Sequence, residues 1–246
     1  MVTNQLRKRG INNTAVLDAM SRVPRHRFVS KIYRSMAYTD NPLPIGHGQT
    51  ISQPYIVALM TQLLRVNIKH KVLEIGTGCG YQTAILSILS KKVITFEVLN
   101  GLSKKSQRRL TTLGYNNIDF HCADGKDGYG KEAPYDRILV SAAPETIPEI
   151  LIEQLAPRGY MIIPVGSLYE QFIHIITKDK NKKIHIKKST PVRFVPLVWI
   201  LYVYILCIFK LIEFVVHIII CVYYMYRYKP IVVLQNATNK IEIYQH

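Results

Sequence analysis

Acidic residues are scarce in this chain. Sixteen Asp and Glu stand against 32 Lys and Arg, a formal net charge of +16 over 246 residues. Such an imbalance invites a nucleic-acid partner. The cations, however, come in scattered short groups (Arg7-Lys8-Arg9, Lys104-Lys105, Arg108-Arg109, Lys187-Lys188) with few aromatics among them to stack bases, so no nucleic-acid partner is expected. Cysteine is also rare: four residues, at 79, 122, 207 and 221, with no C-x-x-C pair and no histidine at ligand spacing. The eight histidines contain no H-E-x-x-H. Neither a metal site nor a disulfide framework is supported, and unpaired thiols suit a reducing compartment. Residues 1–10 hold no apolar run of signal-peptide length, so a cytoplasmic body is expected.

What is present suffices for one domain with a sizeable core, or for one domain plus a short appendage, with a hydrophobic fraction of 48%. Asn12-Asn13-Thr14 offers a cap for a first helix, whose apolar positions Val16, Leu17 and Met20 share one face. The segment from Asn41 to Gly48 has too many prolines and glycines for a helix or a central strand. Gln53-Pro54 opens a second amphipathic helix, with proline in the first turn, where its missing N–H costs nothing. From residue 71 the pattern alternates, with strands expected at 71–75, 92–97, 117–122, 135–141 and 159–164. Helices are expected at 81–90, 101–113 and 146–155, and a late antiparallel hairpin at 171–177 and 183–188. Alternation of this kind predicts an α/β, doubly wound, mostly parallel sheet with right-handed crossovers and an N-terminal helical extension.

The densest signal is Glu74-Ile75-Gly76-Thr77-Gly78-Cys79-Gly80, between an expected strand and an expected helix. Glycines there let backbone N–H groups approach a nucleoside-like ligand. A dinucleotide fingerprint needs a third glycine at position 81, where Tyr81 stands. The alternating glycines after an acid instead resemble the S-adenosylmethionine loop of methyltransferases. Glu97 comes about 20 residues after the loop begins, where a doubly wound fold places an acid for ribose hydroxyls. Asp124-Gly125 ends the next strand and is placed to accept from an adenine amino group. All three features fall at carboxyl ends of adjacent strands, where open α/β sheets bind ligands. Cys79 reads as a small side chain filling the turn rather than a redox group.

A second set of motifs is more specific. Leu43-Pro44-Ile45-Gly46, His47-Gly48-Gln49-Thr50-Ile51-Ser52-Gln53-Pro54, the glycine loop, Ala142-Ala143-Pro144 and Val192-Arg193-Phe194-Val195-Pro196-Leu197 occur in order. Together they resemble the protein-L-isoaspartate O-methyltransferase family, collinearly over about four fifths of the chain. The resemblance implies a seven-stranded, Rossmann-like class I methyltransferase domain over residues 1–198, divided into an N-terminal active-site segment, 1–65, and a core, 66–198. It also implies methyl transfer from S-adenosylmethionine, without a metal, to the free carboxylate of L-isoaspartyl or D-aspartyl residues in damaged proteins by a monomer. The ester then closes, without the enzyme, to a succinimide that can reopen to aspartate. By motif, Ser52 becomes the active-site serine. Ile51, Ser52, Glu74, Gly76, Thr77, Gly78, Cys79, Gly80, Glu97, Asp124, Gly125 and Ala142 become cofactor residues. Val192, Arg193 and Phe194, with Ser52, hold the peptide.

Elementary chemistry agrees with so sparse a site. A carboxylate of ordinary pKa about 4 is ionised at neutral pH and needs no general base. The enzyme's task is then alignment of oxygen, carbon and sulfur. Ser52 has a second reading, as N-cap of the helix beginning at Pro54. Arg193 likewise reads either as a carboxylate clamp or as a solvated cation on a buried edge strand.

Residues 199–246 fall outside the family pattern. Positions 197–226 are almost wholly apolar and exceed the roughly 20 residues that span a bilayer. Lys210, Glu213 and His217 interrupt them on one helical face. A membrane anchor, a packed element and an accidental extension all remain open. Two alternatives to the repair enzyme stand beside it: a degenerate, non-enzymatic membrane-associated protein, or a methyltransferase for RNA or a small molecule.

Overall fold

The computed structural model describes residues 1–197, with Val215, Val216, Ile218 and Ile219 in addition. The chain divides into two units, Met1–Val198 and Trp199–His246, and every element named below belongs to the first. Those four residues aside, the apolar run at 199–226, with Lys210, Glu213 and His217, lies outside the described residues. Among the described residues no helix is long and apolar enough to cross a membrane.

The first unit starts with helix α1 (Thr14–Arg22), where the Asn13 side chain accepts from Val16 N at 3.1 Å. Its face of Val16, Leu17, Ala19 and Met20 is buried. Strands β1 (Leu43–Gly46) and β2 (Gln49–Ile51) form a small antiparallel hairpin from the proline- and glycine-rich segment. His47 at φ 54° and Gly48 at φ 70° make its turn. Helix α2 (Pro54–Leu64) comes directly after it.

The sheet is assembled from β3 (Lys71–Ile75), β4 (Lys92–Phe96), β5 (Ile118–His121), β6 (Tyr135–Val140), β7 (Leu155–Gly166), β8 (Gln171–Lys178) and β9 (Ile184–Val192). Between them run helices α3 (Tyr81–Leu89), α4 (Asn100–Thr112) and α5 (Glu149–Glu153). The seven strands lie in the order β5-β4-β3-β6-β7-β8-β9. The first five are parallel, and the last two pair antiparallel as the expected hairpin. The helix expected at 146–155 is shorter, beginning only after Pro148, and the strand expected at 159–164 starts earlier, at Leu155.

Strand β3 is central and buried on both faces, as a parallel strand must be. Period-two alternation sends Val72 toward Met60 and Leu64 of α2 and Leu86 of α3. Leu73 and Ile75 face Leu151 of α5 instead. Each such side chain contributes about 1.5–3 kcal/mol when fully buried. Successive strands step one way from β3 to β5 and the other way from β6, so the crevice at their carboxyl ends opens beside β3.

Candidate active site

A cavity of about 330 Å³ occupies that crevice. One wall is the loop after β3, where Gly76 (φ 95°), Gly78 (φ 54°) and Gly80 (φ 87°) turn through conformations that a side chain would strain. The N–H groups of Gly76 and Thr77 donate to the Phe96 carbonyl at 2.9 and 3.1 Å, which fixes the loop to the end of β4. Tyr81, where a dinucleotide loop would carry glycine, opens α3 and packs edge-on against Phe28 at 5.4 Å. The fully buried Arg25 guanidinium stands 5.1 Å above its ring. This replacement ties the N-terminal extension to the loop.

Glu97 lies just past β4 and is 7% exposed. One carboxylate oxygen accepts from Gly78 N at 2.8 Å, the other from Leu99 N at 2.9 Å. Burial raises its pKa above the ordinary carboxylate range, and these two N–H donors pull it back. Each oxygen keeps a further lone pair for a hydroxyl. Asp124 uses Oδ1 to accept from Lys126 N at 3.0 Å. Gly125 is required by contact, since a Cβ there would stand 2.9 Å from Phe96 Cβ.

The cavity lining contains Ile51, Ser52, Gly76, Thr77, Gly78, Cys79, Glu97, Asp124, Gly125, Ala142 and Val192-Arg193-Phe194. The fold thus brings together thirteen positions drawn from segments far apart in the chain. Glu74 and Gly80 are not among its lining residues. Gly80 caps α3 and backs onto α4, where a Cβ would approach Leu110 Cδ1 to 2.8 Å.

Glu74 is wholly buried beneath the loop, its Oε2 accepting from Thr83 Oγ1 at 2.6 Å and Thr95 Oγ1 at 2.7 Å. Thr95 continues the network to Thr77 Oγ1 at 2.7 Å, so the carboxyl braces β3, β4, α3 and the loop at one point. Desolvation pushes Glu74 up to about 7, although the two threonine bonds oppose it. The folded state therefore holds this proton more tightly than the unfolded chain, whose carboxyl ionises near 4.5. Its stabilising contribution is complete below that value and is lost as pH rises through 7. Replacing Glu74 by Gln should therefore shrink the fall in unfolding free energy between pH 5 and 8 by about 2–3 kcal/mol. Denaturant melts at the two pH values check this; an unchanged difference would refute it.

Ser52 does not cap α2. The N-cap position belongs to Gln53, whose side chain makes no capping bond. Asp40 supplies the cap from a distance, accepting Tyr55 N on Oδ1 at 3.0 Å and Gln53 Nε2 on Oδ2 at 2.9 Å. Arg9 pairs with the same carboxylate and lies over the Tyr55 ring at 3.5 Å. Ser52 has no hydrogen-bond partner among the described residues and sits in the cavity wall.

The last wall is the segment after β9. Gln171, 4% exposed, grips Phe194 by its backbone, accepting from N at 2.6 Å and donating to O at 3.2 Å. Ala143 N donates to Val195 O, and Leu197 N to Ala143 O, both at 2.9 Å. Arg193 is exposed, makes no ion pair among the described residues, and is the cation of a lining that also holds Glu97 and Asp124. Sequence reasoning missed Asp40 and Gln171, because nothing local marks a residue whose partner lies 15 or 23 positions away.

Alternating glycines, an acid at the end of the adjacent strand and a crevice beside β3 define a Rossmann-like nucleoside-binding fold of the class I methyltransferases. The family model "Protein-L-isoaspartate(D-aspartate) O-methyltransferase (PCMT)" matches residues 1–200, and the chain belongs to that family. It is 50% identical to the protein-L-isoaspartate O-methyltransferase of Gloeobacter violaceus over 198 residues, 80% of this chain and 96% of that one. The Picosynechococcus enzyme of the same name is 48% identical over 197 residues, 80% of this chain and 88% of that one. A solved Plasmodium falciparum structure, titled as a putative protein-L-isoaspartate O-methyltransferase in complex with S-adenosyl-L-homocysteine, is 29% identical. It superposes with a TM-score of 0.70, covering 80% of this chain and 96% of that chain.

Proposed function

We propose that this chain is a protein-repair enzyme that methylates the free carboxylate left at L-isoaspartyl, and also D-aspartyl, residues of damaged proteins, with S-adenosylmethionine as donor. The observation that carries the reading is the uncommitted Ser52 hydroxyl in one cavity with the glycine loop and Arg193. Glu97 and Asp124 offer acceptors for ribose hydroxyls and an adenine amino group, while the glycine loop and Ala142 leave room for the nucleoside. The donor, when bound, supplies a methyl group on a sulfonium whose charge is lost on transfer.

The protein's own task is to bring the carboxylate into line. That group is anionic at neutral pH, so no residue need remove a proton. Ser52 Oγ–H donates one hydrogen bond and leaves the attacking lone pair free. Arg193, at the exposed rim, attracts the anion without enclosing it. Ile51, Val192 and Phe194 give the same cavity an apolar wall, Val192 and Phe194 on the side that would hold the peptide.

Residues 1–198 form the methyltransferase domain, with 1–65 supplying Ser52 and 66–198 the cofactor wall; residues 199–246 are an extension outside it. We take the enzyme to act as a monomer. Cys79 and Cys122 are unpaired thiols, as suits a cytoplasmic protein. The deciding experiment is labelled methyl transfer to an isoaspartyl peptide beside its aspartyl twin. The isoaspartyl peptide should be labelled at least about a hundredfold faster; equal labelling of both, or none of either, would remove the assignment.

A further inference from the structure

A second concavity, of about 320 Å³, is lined by Arg27, Lys104, Lys105, Arg108, Arg109 and Thr112. None of these residues lines the cavity described above. The geometry points to a binding site for a small oligophosphate anion in this groove between α4 and the turn after α1.

Three observations support it. First, five cations drawn from two segments line one space, and Arg27, Lys104, Lys105 and Arg108 form no ion pair among the described residues. Second, α4 contains no Asp or Glu, and its cations stand at i and i+4 twice over, Lys104 with Arg108 and Lys105 with Arg109. Like charges at that spacing destabilise a helix, and a bound anion would reverse the penalty. The opposite face of α4, with Leu102, Ser103, Ser106 and Leu110, is buried, which leaves Lys104, Lys105 and Arg108 on its exposed side. Third, Arg109 is fixed beforehand: its Nη1 donates to the Cys79 carbonyl at 2.6 Å and its guanidinium stands 5.6 Å from the Phe28 ring. An anchored guanidinium keeps its remaining N–H fork directed and loses little freedom on binding. No aromatic residue lines the groove, which favours a compact polyanion over a stacked nucleic-acid strand.

Sodium tripolyphosphate, titrated calorimetrically at fixed ionic strength, is the probe. It should bind saturably at one site per chain and raise Tm. The exposed-residue variant Lys104→Gln/Lys105→Gln/Arg108→Gln should bind at least about tenfold more weakly and melt no lower than the parent when unliganded. A control, Lys180→Gln/Lys183→Gln/Lys187→Gln, removes the same charge elsewhere and should change affinity less than about twofold. Equal losses in both variants would show only the attraction of a basic protein and would overturn the site, as would the absence of saturable binding. A short single-stranded oligonucleotide binding more than about tenfold tighter than tripolyphosphate would also overturn it, in favour of a nucleic-acid contact. Methyl transfer enters none of these readouts, so the groove and the repair activity stand or fall separately.

Discussion

Replacing Ser52 by Ala should lower kcat/KM for an isoaspartyl peptide about a hundredfold while S-adenosylhomocysteine affinity changes less than about threefold. The asymmetry arises from where the hydroxyl stands. Its oxygen bonds to nothing among the described residues, so truncation leaves no buried group unsatisfied and costs the fold almost nothing. Helix α2 keeps its start, because Asp40 supplies the capping oxygen to Tyr55 N. What disappears is the donor that fixes the carboxylate in line with the methyl carbon, and a misplacement of about 1 Å is worth about a hundredfold. Ser52→Thr, which keeps the hydroxyl, should recover part of the loss. Unchanged methyl transfer in Ser52→Ala would show that the residue only shapes the cavity. A parallel fall in stability and cofactor affinity would show that it is structural.

Glu97→Gln should weaken cofactor binding about a hundredfold or more. The carboxylate now accepts one backbone N–H on each oxygen, at 2.8 Å from Gly78 and 2.9 Å from Leu99. An amide can accept on one atom only; its NH2 would face the other N–H, donor against donor. One charge-assisted bond, worth about 1.5–3 kcal/mol, is lost, together with the acceptor strength needed for ribose hydroxyls. Either the Gly78 end of the loop or the Leu99 end must move, and both line the cavity. Calorimetric titration with S-adenosylhomocysteine measures this directly. An affinity within about threefold of the parent would mean that Glu97 serves the loop and not the ligand.

These two residues differ in how far sequence alone could read them. Glu97 was legible because a βαβ unit has a nearly fixed length, so an acid about 20 residues past the glycines must end the neighbouring strand. The same regularity explains why the elements from β3 onward keep to the alternation, with errors confined to ends such as Leu155 and Glu149. Ser52 was legible only as a pair of roles. A serine one residue before Gln53-Pro54 has the local chemistry of a cap, and nothing nearby states that the position is already served.

Arg193 shows the same limit in another form. The run Val192 to Leu197 read as a buried edge strand or a ligand segment. In the structure β9 ends at Val192, and residues 194–197 are held by Gln171 and Ala143 against the end of β6. Edge strand and cavity wall are therefore consecutive, with Arg193 at the junction. Glu74, read as a cofactor residue with the rest of its loop, is instead fully buried below it. Strand alternation alone could not say whether its side chain would meet ligand or threonine hydroxyls.

By itself, then, the sequence determined the α/β alternation, the glycine turn and the strand-end acids, because helix period, strand period and glycine's conformational freedom are local properties of the backbone. The tertiary structure alone decided that Asp40 would free Ser52, that Gln171 would carry Phe194 to the cavity, and that the cations of α4 would converge with Arg27. Each of those depends on contacts between segments distant in the chain, whose cost in chain entropy is met only once the whole core has closed.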